Sequence, residues 1–126
     1  MRAALVLLVV LALATPGTAG TIVNPGLTEI GGAVATKVFA DSPYTVTAAD
    51  FTLLVNCTNG AVTITLPAAS NNSGRIVTIK KTDATANAVT VARTGADTID
   101  GATAQTIGTQ YMALTFQSDG TSWWVI

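Results

Sequence analysis

The chain has 126 residues and a formal net charge of −1, and Asp, Glu, Lys and Arg make up only 10% of it, against roughly 25% in an average soluble domain. Nucleic-acid binding needs a clustered basic face, and the longest basic run is Lys80-Lys81, so the composition argues against a nucleic-acid partner. Histidine is absent, which removes the commonest general base and metal ligand at neutral pH.

Residues 1–19 form an apolar segment with the features of a secretory signal peptide. Arg2 supplies the positive start, an apolar run follows at 3–14, and GTA at 17–19 is a small-residue cleavage site. The run is shorter than the roughly 20 apolar residues that a membrane-spanning helix needs. Two interpretations stay open: cleavage after Ala19, or retention of the segment as an apolar anchor.

Residues 20–43 are rich in Gly, Ala and Thr and show no sustained hydrophobic period. Pro and Gly punctuate the stretch at NPG (24–26) and GG (31–32). With so few bulky side chains it cannot bury much surface by itself. The sequence therefore predicts an extended arm, with a short strand around 35–40, leading into a β domain that spans 44–126.

From Tyr44 onwards, short apolar-polar runs alternate with turn residues, which predicts strands. FTLLVN (51–56) and AVTITL (61–66) flank Asn59-Gly60. Such a pair is the strongest short-range hairpin signal, because both residues tolerate the positive φ of a type I′ turn. The two runs are predicted to pair as a β-hairpin.

The same pattern continues to the end of the chain. Further strands are predicted in RIVTIKK (75–81), AVTVAR (88–93), QYMALTFQ (110–117) and SWWVI (122–126), with Asp119-Gly120 closing the last hairpin. No window after the N-terminal run has a helical stripe. The predicted fold class is all-β, a small antiparallel β-sandwich or barrel-like domain with an extended N-terminal arm.

Several of these strands, notably YMALTF and SWWVI, carry apolar or aromatic residues at positions that face both sides of a sheet. Burial on both sides, one of them by another copy of the chain, is the simplest cause. The pattern therefore predicts an obligate homo-oligomer.

The stretch from 50 to 102, followed by ALTFQSDGTSWWVI, resembles a β module that recurs in tailed-phage fibres and other virion surface proteins. The matching motifs are AVTITLPAA, GRIVTIKKTD, TIDGA and the closing TFQSDGTSWW. The resemblance implies a trimeric head fibre, tail fibre or capsid decoration that meets other virion proteins through its arm and a host-surface glycan at its exposed faces. The signal-like segment departs from that family, so a secreted bacterial cell-surface or matrix protein is the alternative.

Trp123, Trp124 and Tyr111 are the candidate residues for contact with a glycan or another surface, because an aromatic ring offers a large apolar face. Consecutive strand residues point in opposite directions, so one of the two tryptophans is predicted to lie in the core. Asp97 and Asp100 supply too few oxygens for a Ca²⁺ site, which needs six to eight. They are interpreted as turn caps, and no metal or cofactor is predicted.

No catalytic constellation can be assembled from the sequence. Cys57 is the only cysteine and there is no histidine to activate it, so it is predicted to be a buried apolar side chain. G-x-S-x-G is absent, and the acids are scattered. An enzyme is therefore not predicted, and an enzyme or enzyme accessory module that binds polysaccharide is the third hypothesis. The basic side chains are predicted to be solvated charges on strand faces, namely Arg75, Lys80, Lys81 and Arg93.

Overall fold

The computed structural model describes residues 32–126; the predictions for the apolar segment and for the arm up to residue 31 lie outside the described residues. Nine strands occur in the described part, and short 3₁₀ turns follow the first strand (Phe39–Asp41) and the fourth (Ala69–Asn71). The strands are β1 (Ala33–Val38), β2 (Tyr44–Thr45), β3 (Asp50–Asn56), β4 (Val62–Thr65), β5 (Ile76–Lys81), β6 (Val89–Ala92), β7 (Ala104–Ile107), β8 (Ala113–Ser118) and β9 (Trp123–Val125).

The first six strands alternate between two sheets. One sheet has the order β1-β3-β5-β8-β9 and the other β2-β4-β6-β7. Strands β1, β3 and β5 run parallel to each other, and so do β2, β4 and β6. The chain therefore winds through three stacked coils, and each coil gives one strand to each sheet. Strands β7, β8 and β9 then add to the stack with antiparallel pairing.

The all-β class with two sheets is confirmed. Antiparallel pairing, which the sequence suggested throughout, is found in three of the seven strand pairs, and the other four are parallel. The predicted closing hairpin is confirmed, because β8 pairs with β9 and places Ser118 opposite Trp123. The short strand expected in the arm is also present, and as β1 it pairs along its six residues with β3.

The predicted hairpin at Asn59-Gly60 is wrong. Strands β3 and β4 lie in different sheets, and β4 pairs in parallel with β6, with Val62 opposite Val89. Gly60 does adopt a positive φ, 148°, and its N–H donates to the Cys57 carbonyl at 3.1 Å. The turn is real, but residues 57–61 are long enough to cross the roughly 10 Å between packed sheets, so it joins the sheets instead of closing a hairpin.

Alternation along the strands builds the core between the sheets. In β3 and β4 the inward residues Leu53, Val55, Val62 and Ile64 are fully buried and belong to one cluster. The end of the stack formed by β7, β8 and β9 is filled by larger side chains. Trp123 is among them, and its Nε1 donates to the Pro67 carbonyl at 2.9 Å. The prediction that one of the two adjacent tryptophans lies in the core is confirmed.

The prediction of solvated basic residues is wrong for Lys81. Its side chain is fully buried, because it follows Val77 and Ile79 on the inward face of β5. Its Nζ donates to Asp83 twice, to Oδ2 at 2.6 Å and to the carbonyl at 2.8 Å. The other carboxylate oxygen, Oδ1, accepts the Cys57 amide at 2.6 Å. A buried ion pair thus links the ends of β3 and β5 in adjacent coils.

Arg75 is also less solvated than the sequence predicts. The residue is half-buried before β5. Its guanidinium donates to the carbonyl of Thr47 and, at 2.9 Å, to that of Asp50, and to Asn72 Oδ1 at 3.1 Å. The arginine therefore ties the turn before β3 to the turn before β5.

Lys81→Met is expected to lower the free energy of unfolding by about 3–5 kcal/mol, because removing one partner leaves a buried charge uncompensated. The matched control is Lys80→Met, the same substitution one residue earlier on the outer side of β5. Urea unfolding followed by tryptophan fluorescence measures both. Equal and small effects in the two variants would contradict a structural role for the buried pair.

The same pair predicts a dependence of stability on acid. Burial alone raises the pKa of Asp83, but hydrogen bonds from Lys81, Thr85 and the backbone amides of Cys57 and Thr85 outweigh it and hold the pKa well below its usual value of 3.8. Because the folded pKa is depressed, the stabilisation is present above about pH 4 and is lost as the pH falls below that. Urea midpoints measured from about pH 6 to pH 2 should decline, and less so in Lys81→Met.

Candidate functional site

The two sheets present different outer surfaces. On the four-stranded sheet the outward positions carry small side chains, mainly Thr and Ala, as the alternation of β4 and β6 shows. On the five-stranded sheet larger apolar groups lie among the threonines, and the exposed ones stand toward its two edges: Val34 and Val38 on β1, and Trp124 and Ile126 on or beside β9. At the β9 edge an exposed aromatic ring, Trp124, lies beside a concavity, which makes that edge the candidate site.

A groove of about 400 Å³ opens beside Trp124. Three segments line it: the turn before β5 (Ser73-Gly74), the end of β8 with the first turn residue (Gln117–Asp119), and Trp124 with Ile126. Gln117 and Trp124 are directly opposite each other in the β8-β9 pair. They therefore lie on the same outer face of the sheet.

One carboxylate shapes the turn and holds the ring. Asp119 Oδ1 accepts the backbone N–H groups of Thr121 and Ser122, both at 2.8 Å. Its other oxygen, Oδ2, accepts Nε1–H of Trp124 at 2.8 Å. These bonds, first that from the Ser122 amide and then that from the Trp124 indole, lower the pKa of Asp119 below its usual value. The ionised side chain thus fixes the indole ring across the hairpin.

The opposite wall is fastened to β8 through the backbone. The Gly74 N–H donates to the Ser118 carbonyl at 2.7 Å, and Gln117 Nε2 reaches the Gly74 carbonyl at 3.4 Å. Gly120 has a φ of 91°, and a Cβ there would lie 3.2 Å from Cβ and Oγ of Ser73. The close approach requires glycine, and it presses the turn before β5 against the β8-β9 turn.

The groove combines an apolar platform with few polar groups. Trp124 is 46% exposed and Ile126 64% exposed, and the Ser73 hydroxyl and the Gln117 amide stand beside them in the lining. Asp119 is the one ionisable side chain of the lining. Glycoside hydrolysis uses a pair of carboxyl groups, and the side chains of this lining include one, that of Asp119.

The structure separates the three aromatic candidates. Trp123 is fully buried, which removes it from the surface. Tyr111 is 65% exposed, but it precedes β8 whereas Trp124 pairs with the far end of that strand. The two rings therefore lie at opposite ends of β8. Trp124 alone lines the groove, and the ring of Tyr111 lies instead 5.8 Å from Lys80 Nζ.

The two acids that were considered as turn caps act at a distance. Asp97 Oδ2 accepts the Ala69 amide at 2.8 Å, and Asp100 Oδ1 accepts the Val125 amide at 3.0 Å. They therefore cap backbone groups of other segments, and the interpretation of the two acids as caps of their own turn is wrong. The buried position expected for Cys57 is confirmed. Within residues 32–126, no three His, Cys, Asp or Glu side chains are grouped so as to hold a metal ion.

Sequence reasoning missed most of the groove. It identified Trp124 and the turn at 119–120, but not that Asp119 would reach the indole across the hairpin. The spacing of five residues across a two-strand turn is a signal that could have suggested this bond. The turn at 73–74 carries no such signal, because only the antiparallel pairing of β5 with β8 brings it beside Gln117.

Neither a protein-family model nor a curated protein sequence matches the chain. The resemblance to virion surface modules therefore stays a prediction from the motifs. No helix in the part of the chain that the structure describes is long and apolar enough to cross a membrane.

Asp119→Ala is expected to free the Trp124 ring without unfolding the core. The Nε1–H of Trp124 should exchange faster with solvent, whereas that of Trp123, bonded to Pro67, should keep its protection. Two-dimensional NMR of the indole N–H groups measures both signals in one sample. Unchanged exchange at Trp124 would show that the carboxylate does not position the ring.

Proposed function

We propose that this chain is a non-enzymatic structural protein of a virion surface, of the phage fibre or capsid decoration type, and that the described domain is its distal module. The observation that carries the proposal is the stack of parallel coils. Within residues 32–126 the loop at 98–100 bonds to β9 at the end formed by β7 to β9 (the closed end), and no strand covers β1 or β2 at the other (the open end). Coils that stack in one direction build extended bodies, because each contacts only its neighbours. An appendage uses that geometry, whereas catalysis needs a constellation that the groove lacks.

The closed end supports the proposal that the described domain lies at the tip of an appendage. Strand β7 covers the outer edge of β6, and β8 with β9 covers that of β5. The loop at 98–100 then covers β9: the Trp123 N–H donates to the Thr98 carbonyl at 2.8 Å, and the Asp100 N–H to the Trp123 carbonyl at 3.0 Å. Backbone groups that are already paired cannot recruit another strand. The β9 edge is therefore capped at Trp123, whereas β7 is the last strand of the four-stranded sheet.

The open end supports assembly with further copies. Within residues 32–126 no strand pairs with the outer edge of β1 or β2. Val34, Val38 and Phe39 are exposed there, by 62%, 40% and 49%. Lysine commonly guards such edges, but Lys37 Nζ lies 3.7 Å from the centre of the Tyr44 ring and is engaged in a cation–π contact. With Lys37 held on the Tyr44 ring, the exposed apolar side chains of this edge favour a second copy of the chain as its cover, in the homotrimer that the fibre resemblance implies.

The second candidate is a secreted bacterial cell-surface or matrix protein, which the signal-like residues 1–19 favour. Mass spectrometry of the protein from its natural source separates the two. The virion proposal expects the chain in purified particles, retained there after washing. A chain of residues 20–126 in the particle-free medium would instead support secretion and overturn the virion assignment.

Val34→Lys is expected to lower the oligomer mass of the full chain, because it places a charge on the edge that is proposed to be covered. Thr106→Lys is the matched control, since Thr106 is exposed on β7 at the closed end. Light scattering after size-exclusion chromatography measures the mass. A wild-type protein that stays monomeric, or equal loss in both variants, would contradict assembly through β1.

A further inference from the structure

We propose that the groove beside Trp124 binds a neutral pyranose unit of a cell-surface glycan. The inference deepens the proposed surface role and rests on it for its biological meaning. The binding itself depends only on the groove and can be tested on the isolated chain.

The first step concerns the surface of the Trp124 ring that stays available to a ligand. Asp119 occupies Nε1–H, the one polar group of the Trp124 side chain. The remaining exposed surface is apolar and aromatic, and it is held in place, so little conformational entropy is lost when a ligand stacks on it. A pyranose has a matching shape, with an apolar patch of C–H groups on a ring face and hydroxyl groups around its rim.

The second step is the polar groups at the rim. The Ser73 hydroxyl bonds to no group within residues 32–126, and the Gln117 amide makes only the long 3.4 Å bond to Gly74. Both side chains therefore keep donors and acceptors for a ligand. Hydroxyl groups, which both donate and accept, suit this mixed pair. An apolar peptide side chain would leave it unused.

The third step is charge and size. Asp119 is the one ionisable group of the lining, and its negative charge disfavours an acidic sugar. A quaternary ammonium ligand is held by cages of several aromatic rings, and here there is one. A volume of about 400 Å³ lies in the range of small-molecule sites and accommodates one or two sugar units. Such a small contact area predicts roughly millimolar affinity.

The position of the groove gives the inference its meaning. Its walls are the β8-β9 hairpin and the turn before β5, which belong to the closed end of the stack. In the proposed appendage this end is distal, so the groove is presented to the host surface. The edge proposed for assembly, β1, lies at the other side of the sheet, so both surfaces can be used together.

The test is an NMR titration of the ¹⁵N-labelled full chain with the methyl glycosides of glucose, galactose, mannose and N-acetylglucosamine. We expect at least one of them to shift the indole N–H signal of Trp124 and to leave that of buried Trp123 in place. Sialyllactose, an acidic probe, should bind more weakly. Failure of every neutral glycoside at about 50 mM, well above a millimolar Kd, would overturn the proposal, as would preference for sialyllactose.

Variants locate the binding site. Trp124→Ala should lower the affinity for the glycoside that binds wild type by about tenfold or more. Trp124→Phe should retain part of that affinity, and Gln117→Ala should lower it a few-fold. Tyr111→Ala, at the other exposed aromatic ring, should bind as wild type does. Equal affinity in Trp124→Ala and wild type, with both shown to be folded by circular dichroism, would contradict the assignment of sugar binding to this groove.

The inference and the proposed function fail separately. Sugar binding by a chain that is absent from virions would support the groove and contradict the appendage. A particle-bound oligomer that binds none of the glycosides would support the proposed appendage and contradict sugar binding in the groove.

Discussion

Parallel stacking of successive coils is the constraint on which the rest of the structure depends. Each coil bonds through its backbone to the coils before and after it, so every strand is satisfied only while neighbours stand on both sides. At one end the antiparallel strands β7 to β9 supply these neighbours, and the loop at 98–100 bonds in turn to β9 at Trp123. At the other end β1 and β2 have no neighbour among the described residues, and the proposed assembly follows from that asymmetry.

Polar side chains at the corners make the stacking possible in a chain with so few charges. Crossing between sheets leaves backbone amides and carbonyls without ladder partners, and Asp83, Arg75 and Asp97 supply the missing bonds. Among residues 32–126 no buried side-chain nitrogen or oxygen lacks a hydrogen-bond partner. Buried charge therefore appears where the coils turn, which is also where it costs least, because each charge is paired or bonded several times.

The closing hairpin serves two purposes with adjacent residues. Trp123 points inward and fills the end of the core, whereas Trp124 points outward and forms the platform of the groove. Asp119 orders the turn that makes both orientations possible. The same hairpin thus fills the end of the core on one side and forms a wall of the groove on the other.

The sequence by itself determined the all-β class, the positions of most strands and the presence of one core tryptophan, because a period of two is a local property of the chain. Only the tertiary structure decided which strands pair. The runs 51–56 and 61–66 bury the same faces whether they form a hairpin or stand in opposite sheets, so their pattern cannot distinguish the two arrangements. For the same reason the groove could not be predicted from the sequence, because Ser73 and Trp124 are distant along the chain and meet only through the β5-β8-β9 pairing. Burial of Lys81 was hidden too, because its partner Asp83 looks like a turn residue until the coils stack.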